Sequence, residues 1–278
     1  MTYKTILLHT NDERRVAGLV DAATHIATRH EAHLIGLYVM PPVPTYGATS
    51  RGAAMIKSGL AKFREEAGRV QVAFEAACKG HPFVAEWRLV EPKHQGVAEA
   101  VMQHGHAADL IIASQRDHDF DFTSLLDVPE RLAIESGRPV LIIPNCGNFA
   151  GFGKRITVAW NGKREAARAV FDALPLLKAA DSVRIIWVNP QKESVQAGDL
   201  PTAEIATALA RHDVRCEAAS TTASDIRVGD VLLSGLTDDG SDLLVMGAYG
   251  HSRLAEFVFG GATRHILEHM TVPVLMSH

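Results

Sequence analysis

Two glycine pairs near the C-terminus have the residue types and spacing of an anion site. Gly247 and Gly250 follow an apolar run typical of a buried strand, and Gly260 and Gly261 precede a helical pattern over Ala262–His269. Glycines let backbone N–H groups approach a phosphate, and a helix N-terminus favours negative charge. A strand, a glycine-rich loop and a helix start, in this order, predict a nucleotide-binding site.

The elements that must position this loop occur twice along the chain, in the same order. Apolar strand-like segments alternate with helical patterns, and strands that are apolar on both faces indicate a parallel sheet covered by helices. The paired segments are Lys4–Asn11 with Lys154–Asn161, Leu34–Val39 with Val183–Val188, Asp109–Ala113 with Asp242–Met246, and Pro139–Ile143 with Pro273–Met276. Helical patterns run over Val16–His30, Ala54–Ala77, Glu165–Leu177 and Thr202–His212.

This repeat predicts an α/β fold of two tandem five-stranded parallel sheets with helices on both faces. The first domain is predicted over residues 1–146 and the second over 152–278, joined by the glycine-rich segment Asn145–Gly153. Ligands in open parallel sheets bind beyond the carboxyl ends of the strands. Asn161, Val188 and Gly247 end three strands of the second half, so we expect them to meet at one cleft.

Composition excludes several other classes of protein. With 47% hydrophobic and 22% charged residues, the 278-residue chain can bury a core. The net charge of −4 without a basic stripe argues against nucleic-acid binding, and no apolar run is long enough to span a membrane. The three cysteines are scattered and a strand pattern begins close to the N-terminus, which together predict a cytoplasmic protein without a signal peptide.

The pattern Gly-x2-Gly-x9-Gly, with a small residue next, resembles the nucleotide loop of the universal stress protein family. The segments Asp242–Ser252, Thr271–Met276 and Val158–Gly162 resemble that family's fourth strand, fifth strand and first-strand end. The resemblance covers the whole chain as two copies and is stronger in the second half. It implies an adenine nucleotide alpha hydrolase-like fold and a role in the stress response.

The resemblance also implies ATP, or ADP or AMP, as the ligand of the second half, with Mg²⁺ able to accompany the nucleotide. The base and ribose would meet Asn161 and the backbone near Val188, and Gly247 would lie by the ribose. The phosphates would be held by Gly250, Gly260, Gly261, Ala262 and Thr263. Family members pair their fifth strands between sheets, which predicts an intramolecular pseudo-dimer through Pro139–Ile143 and Pro273–Met276 and leaves a further homodimer open.

Two residues of the second half depart from the family pattern. Asn161 replaces the usual aspartate, and Gly261 replaces the usual serine or threonine. Each change is expected to weaken nucleotide binding by about 1 kcal/mol for every hydrogen bond lost. In the first half, Ser114, Asp117 and Asp127 stand where the second has Gly247, Gly250 and Gly260. Carboxylates repel phosphate, and Asp127 is also placed to cap a helix. We therefore predict that the first half does not bind ATP.

Several alternatives stay open at this point. Arg253 and Arg264 are either phosphate ligands or surface residues, and the pairs His104/His106 and His265/His269 are more typical of surface histidines than of metal ligands. No catalytic residue is predicted, because the chain has neither a P-loop nor a nucleophile motif. The alternatives to a nucleotide-binding regulator are a nucleotide-free interaction or scaffold protein and a slow ATPase.

Overall fold

The computed structural model describes residues 2–10, 12–41, 50–92, 95–116, 127–190, 202–223, 225–248 and 261–278. The strands in these ranges are β1 Thr5–His9, β2 His33–Val39, β3 Ala85–Val90, β4 Leu110–Ser114, β5 Val140–Ile143, β6 Arg155–Ala159, β7 Ser182–Val188, β8 Cys216–Thr221, β9 Leu243–Gly247 and β10 Val274–Ser277. The helices are α1 Val16–His30, α2 Ser50–Cys78, α3 Val97–Gly105, α4 Val128–Glu135, α5 Arg164–Asp172, α6 Leu174–Leu177, α7 Ala203–Ala210, α8 Val228–Asp238 and α9 Gly261–His269. Among these helices, none is both long and apolar enough to cross a bilayer.

The strands form one ten-stranded sheet in the order β3-β2-β1-β4-β5-β10-β9-β6-β7-β8. Each half is a five-stranded parallel sheet whose order, counted within the half, is 3-2-1-4-5. The two halves meet where β5 and β10 pair antiparallel, with Leu141 opposite Leu275. The predicted α/β fold is therefore confirmed, and the fifth strands pair inside the chain as expected. The two sheets are continuous and not separate, because this pairing satisfies the backbone groups that two free edges would expose.

Helices cover both faces of the sheet, and two apolar clusters fill the space beneath them. One cluster packs α1, α2, α5, α6 and α7 against the sheet. The other packs α3, α4, α8 and α9 against the opposite face. Strands β1, β4, β6 and β9 lie between these layers and their central residues are buried, which explains their mainly apolar sequences; the buried Thr157 of β6 is hydrogen-bonded to Ser241.

The strands that the repeat does not reveal lie at the sheet's two outer edges. β3 and β8 are the edge strands, and most of their residues are half-buried or exposed. Their polar sequences therefore lack the apolar run that marks the central strands. The single helix expected over Glu165–Leu177 is split into α5 and α6, because Pro175 lacks the N–H that would continue the helix.

One aspartate fixes the start of the second half. Asp242, just before β9, accepts hydrogen bonds through Oδ1 from the N–H groups of Gly153, Lys154 and Arg155 at 3.0–3.1 Å. Phe152 beside them is 2% exposed, and its carbonyl lies 3.0 Å from Nε2 of His25 in α1. The segment that joins the halves is thus anchored to both of them.

Candidate functional site

A cavity of about 630 Å³ opens at the carboxyl edge of the second half. It lies over the crevice between β6 and β9, where the chain order of the sheet reverses, and ligands bind at this position in open α/β sheets. Six of the eight predicted site residues line the cavity: Asn161, Val188, Gly247, Gly261, Ala262 and Thr263. Gly250, Gly260 and the neighbouring Arg253 lie outside the described residues. The structure thus brings together strand ends and a helix start that are up to about 100 positions apart in sequence.

The floor of the cavity is apolar. It consists of side chains from the ends of β7 and β9 and from α8, all at most 9% exposed: Ile186, Val188, Leu232 and Met246. Trp160, half-buried after β6, adds an aromatic wall. A flat apolar group such as a nucleobase gains free energy by leaving water for a surface of this kind.

Three helix N-termini open on the same cavity. Lys163 is the N-cap residue of α5, Arg227 is that of α8, and Gly261 begins α9. The side chains of the two N-cap residues, Lys163 and Arg227, make no capping hydrogen bond. Each helix N-terminus carries about half a positive charge. The rim of the cavity is therefore suited to negative charge.

Side-chain charges on the rim are mostly positive. Lys163, Arg227 and Arg264 line it together with one carboxylate, Glu268. Arg264 Nε donates to Glu268 Oε1 at 2.7 Å, and both side chains are more than one-third exposed. Such an exposed pair contributes little stability, so an anionic ligand can compete for Arg264 at small cost.

Asn161 lines the cavity, but its side-chain oxygen already accepts a hydrogen bond within the protein. Its Oδ1 accepts the backbone N–H of Lys163 at 3.1 Å, which closes an Asx turn just before α5. Asn161 therefore shapes the β6–α5 connection. Its expected role toward a ribose stays a prediction.

Gly247 is required by packing inside the protein. A Cβ at this position would lie 2.5 Å from the backbone nitrogen of Ala166 and 2.6 Å from the carbonyl carbon of Glu165, at the start of α5. A Cβ at Gly261, by contrast, would meet no described atom within 4 Å apart from its own chain neighbours. Gly247 lines the cavity, and its absent side chain makes room for α5 as well as for any ligand.

Residues of α8 belong to the cavity and were not expected there. Arg227, Val228, Gly229 and Leu232 line it, and a Cβ on Gly229 would approach His265 Cδ2 to 2.7 Å. Gly229 thus lets α8 and α9 pack closely. One signal in the sequence was a glycine beside an acidic residue, Asp230, at the start of an apolar helical pattern.

His265 connects α8 and α9. Its Nε2 lies 2.6 Å from Asp230 Oδ1, and its ring stacks on His269 at a centroid distance of 4.3 Å. His269 Nδ1 contacts the carbonyl oxygen of His265 at 2.9 Å. Within the described ranges, no three histidine, cysteine or acidic residues form a potential metal site. The His265/His269 pair thus has a visible structural role between helices.

The first half has acidic side chains at the equivalent helix starts. Ile6 pairs with Leu110 as Ile156 pairs with Leu243, so Ser114 corresponds to Gly247. Ser114 Oγ donates to Asn145 Oδ1 at 3.0 Å. Asp127 is the N-cap residue of α4, but the capping hydrogen bond that we expected from its side chain is absent; Asp117 lies outside the described residues.

An arginine bridges α3 and α4 in this half. Arg131 donates to Glu99 at 2.7 Å and to Glu135 at 2.8 Å, and the bond from Arg131 holds the pKa of Glu99 below its ordinary value. Counted from the helix starts, Arg131 corresponds to Arg264 and Glu99 to Asp230. In the second half His265 makes the link between helices, so Arg264 is not needed for it.

Comparisons with known proteins agree with the fold and the repeat. The model of the "universal stress protein family" matches residues 153–278. A universal stress protein from Archaeoglobus fulgidus, 17% identical, superposes with a TM-score of 0.73 over 98% of this chain and 95% of that chain. A putative universal stress protein from Pseudomonas aeruginosa UCBPP-PA14, 15% identical, gives 0.63 over 99% and 93%. Among curated proteins, none matches the sequence.

The matched residues coincide with the half that carries the cavity, and the structural matches extend over both halves. At these identities the superpositions establish the fold alone. Residues 153–278 therefore belong to the universal stress protein family, in a chain whose first half repeats the same fold.

Proposed function

We propose that the second half binds ATP or a related adenine nucleotide in the cavity between β6 and β9, and that the protein acts as a regulator in the stress response. The observation that carries this proposal is the division of the cavity into an apolar floor and a cationic rim. A nucleotide has the same division, with a flat base at one end and phosphates at the other.

In this proposal the base lies on the floor near Ile186 and Val188. The phosphates lie over the start of α9, where Gly261 to Thr263 present the first backbone N–H groups of the helix. Lys163 and Arg264 are the nearest sources of positive side-chain charge from two sides of the rim. Any Mg²⁺ would arrive with the phosphates, since the carboxylate among the described lining residues, Glu268, is paired with Arg264.

The proposal assigns the lining to binding and not to rapid turnover. His265, the residue there best suited to general-base chemistry, is stacked on His269 and holds α8 against α9 through Asp230, so we give it a structural role. A universal stress protein in complex with cAMP matches 52% of this chain, but the TM-score of 0.34 is too low for that likeness to support a ligand. The proposal therefore rests on the cavity.

A nucleotide-free interaction protein is the second candidate. It is favoured by the Asx turn of Asn161 and by the packing role of Gly247, since both residues have structural roles without a ligand. Absorbance near 260 nm released from the denatured, freshly purified protein would argue against this candidate.

Equilibrium dialysis with ATP, ADP, AMP and GTP tests the proposal. We expect saturable binding of adenine nucleotides, strongest for those with the most phosphate groups and weakened by salt. Absence of saturable binding for every nucleotide would refute it. Turnover of bound ATP that disappears in a cavity variant would instead establish the slow ATPase.

A further inference from the structure

A glutamine of the first half contacts the helix that carries the candidate phosphate site. Gln115 directly follows β4, and its Nε2 donates to the carbonyl oxygen of Leu267 at 2.7 Å and, more weakly, to that of Glu268 at 3.4 Å. Both carbonyls lie in the last turn of α9, where backbone acceptors lack partners within the helix. The first half thus binds the C-terminal end of α9, and the candidate phosphate site lies at the N-terminal end of the same helix.

The amide of Gln115 is held in one orientation. Its Oε1 accepts the backbone N–H of Asn145 at 3.0 Å. The side chain of Asn145 in turn accepts from Ser114 Oγ at 3.0 Å and donates to the carbonyl of Arg116 at 2.9 Å. Gln115 is therefore positioned by a network in the segment that replaces the first half's glycine loop.

The second half makes no equivalent contact with the first half at the position that corresponds to Gln115. By the strand register, Ala248 corresponds to Gln115, and its methyl side chain cannot make an equivalent bond to α4. At the end of α4, the backbone N–H of Ser136 instead donates to the carbonyl oxygen of Leu132 at 3.2 Å, within the first half itself. The first half supports the helix of the second half, without a reciprocal contact at this position.

We infer that Gln115 is a positioning residue through which the first half fixes α9 for nucleotide binding. This inference rests on the proposed function. A helix held at its C-terminal end presents its N-terminal N–H groups in a defined place, which lowers the ordering cost of binding an anion there. It gives the first half a role in binding that does not require a nucleotide of its own.

The test uses Gln115→Glu in the full chain. Glutamate keeps the acceptor for Asn145, loses the donor to Leu267 and places a carboxylate against a carbonyl oxygen. We expect hydrogen exchange of the α9 amides to rise about fivefold without nucleotide, and ATP affinity to fall about threefold to tenfold. Gln103→Glu is the matched control, because Gln103 is exposed on α3 and uses only its Oε1, toward Gln95.

Two readouts keep the inference separate from the proposed function. If the wild type binds no nucleotide, the proposed function fails, and unchanged α9 exchange in Gln115→Glu would overturn the positioning role independently. If the wild type binds ATP and Gln115→Glu binds it equally well with unchanged α9 exchange, Gln115 does not position the helix. Should Gln115→Glu lose its far-ultraviolet circular dichroism, Gln115→Leu takes its place with the same expected outcomes.

Discussion

Replacing Gly247 by alanine tests whether this glycine is needed inside the protein. The added Cβ would lie 2.5 Å from the backbone nitrogen of Ala166 and 2.9 Å from Cβ of Glu165. Contacts this short with backbone cannot be relieved by a rotamer change, so the first turn of α5 must move away from β9. Overpacking of this kind costs about 1–3 kcal/mol, and two backbone neighbours place Gly247→Ala near the upper value.

Thermal unfolding followed by circular dichroism is a direct assay. A loss of about 3 kcal/mol lowers Tm by about 6–12 °C for a chain of this size. Gly261→Ala is the matched control, because its Cβ meets no described atom within 4 Å and alanine favours the helix. Its Tm should equal or slightly exceed that of the wild type.

Two outcomes would contradict the close packing of α5 on β9. If Gly247→Ala unfolds at the wild-type temperature, α5 does not approach β9 as the structure shows, and Gly247 would then be explained by a ligand alone. If both variants lose stability equally, the conclusion that Gly247 is crowded and Gly261 is not is wrong.

Three further predictions concern stability and charge. Burial lowers the pKa of His9 and of His30 from 6.5 to about 4, so the unfolded chain takes up protons first as the pH falls. The stability that these neutral histidines contribute is fully present above pH 6.5 and is lost as the pH falls toward 4. Each histidine should lower the free energy of unfolding by about 2 kcal/mol between about pH 7 and pH 5, and His9→Leu should remove its share of that slope in urea titrations. Asp242→Ala removes the acceptor of three N–H groups in Gly153–Arg155 and should cost about 2–3 kcal/mol in the same assay; an unchanged midpoint would contradict this anchoring role. Arg264→Ala should weaken ATP binding about fivefold to tenfold and make it less dependent on salt. An unchanged affinity would show that Arg264 does not contribute to ATP binding.

The central strands and the repeat could be predicted because burial on both sheet faces leaves a clear mark in the sequence. β4 and β9 each begin with four consecutive apolar residues, and α1 begins and ends as its periodicity predicts. The edge strands β3 and β8 could not be assigned, since half-exposed strands can be polar.

The location of the site was easier to predict than the contacts of its residues. Asn161 and Gly247 line the cavity as expected, because the ends of parallel strands share one edge of the sheet. Their local partners, the N–H of Lys163 and the first turn of α5, depend on the length of the β6–α5 connection. The contribution of α8 and the link from His265 to Asp230 arise from helix packing, which spacing along the chain does not report.

Calorimetric titration of ATP into Gly261→Asp tests the central proposal most directly. Among the described residues none crowds a Cβ at this position, and an acidic residue in the first turn of α9 favours the helix, so we expect the fold to persist. A carboxylate about 5 Å from a phosphate charge costs about 3 kcal/mol at an effective dielectric of about 20, which predicts a roughly hundredfold loss of affinity.

Gly235→Asp is the control for this titration. It makes the same charge change on α8 at a position that is open in the structure and does not line the cavity. The proposal predicts wild-type ATP affinity for Gly235→Asp and a roughly hundredfold loss for Gly261→Asp. Equal ATP affinity in the wild type and Gly261→Asp would contradict a phosphate site at the start of α9.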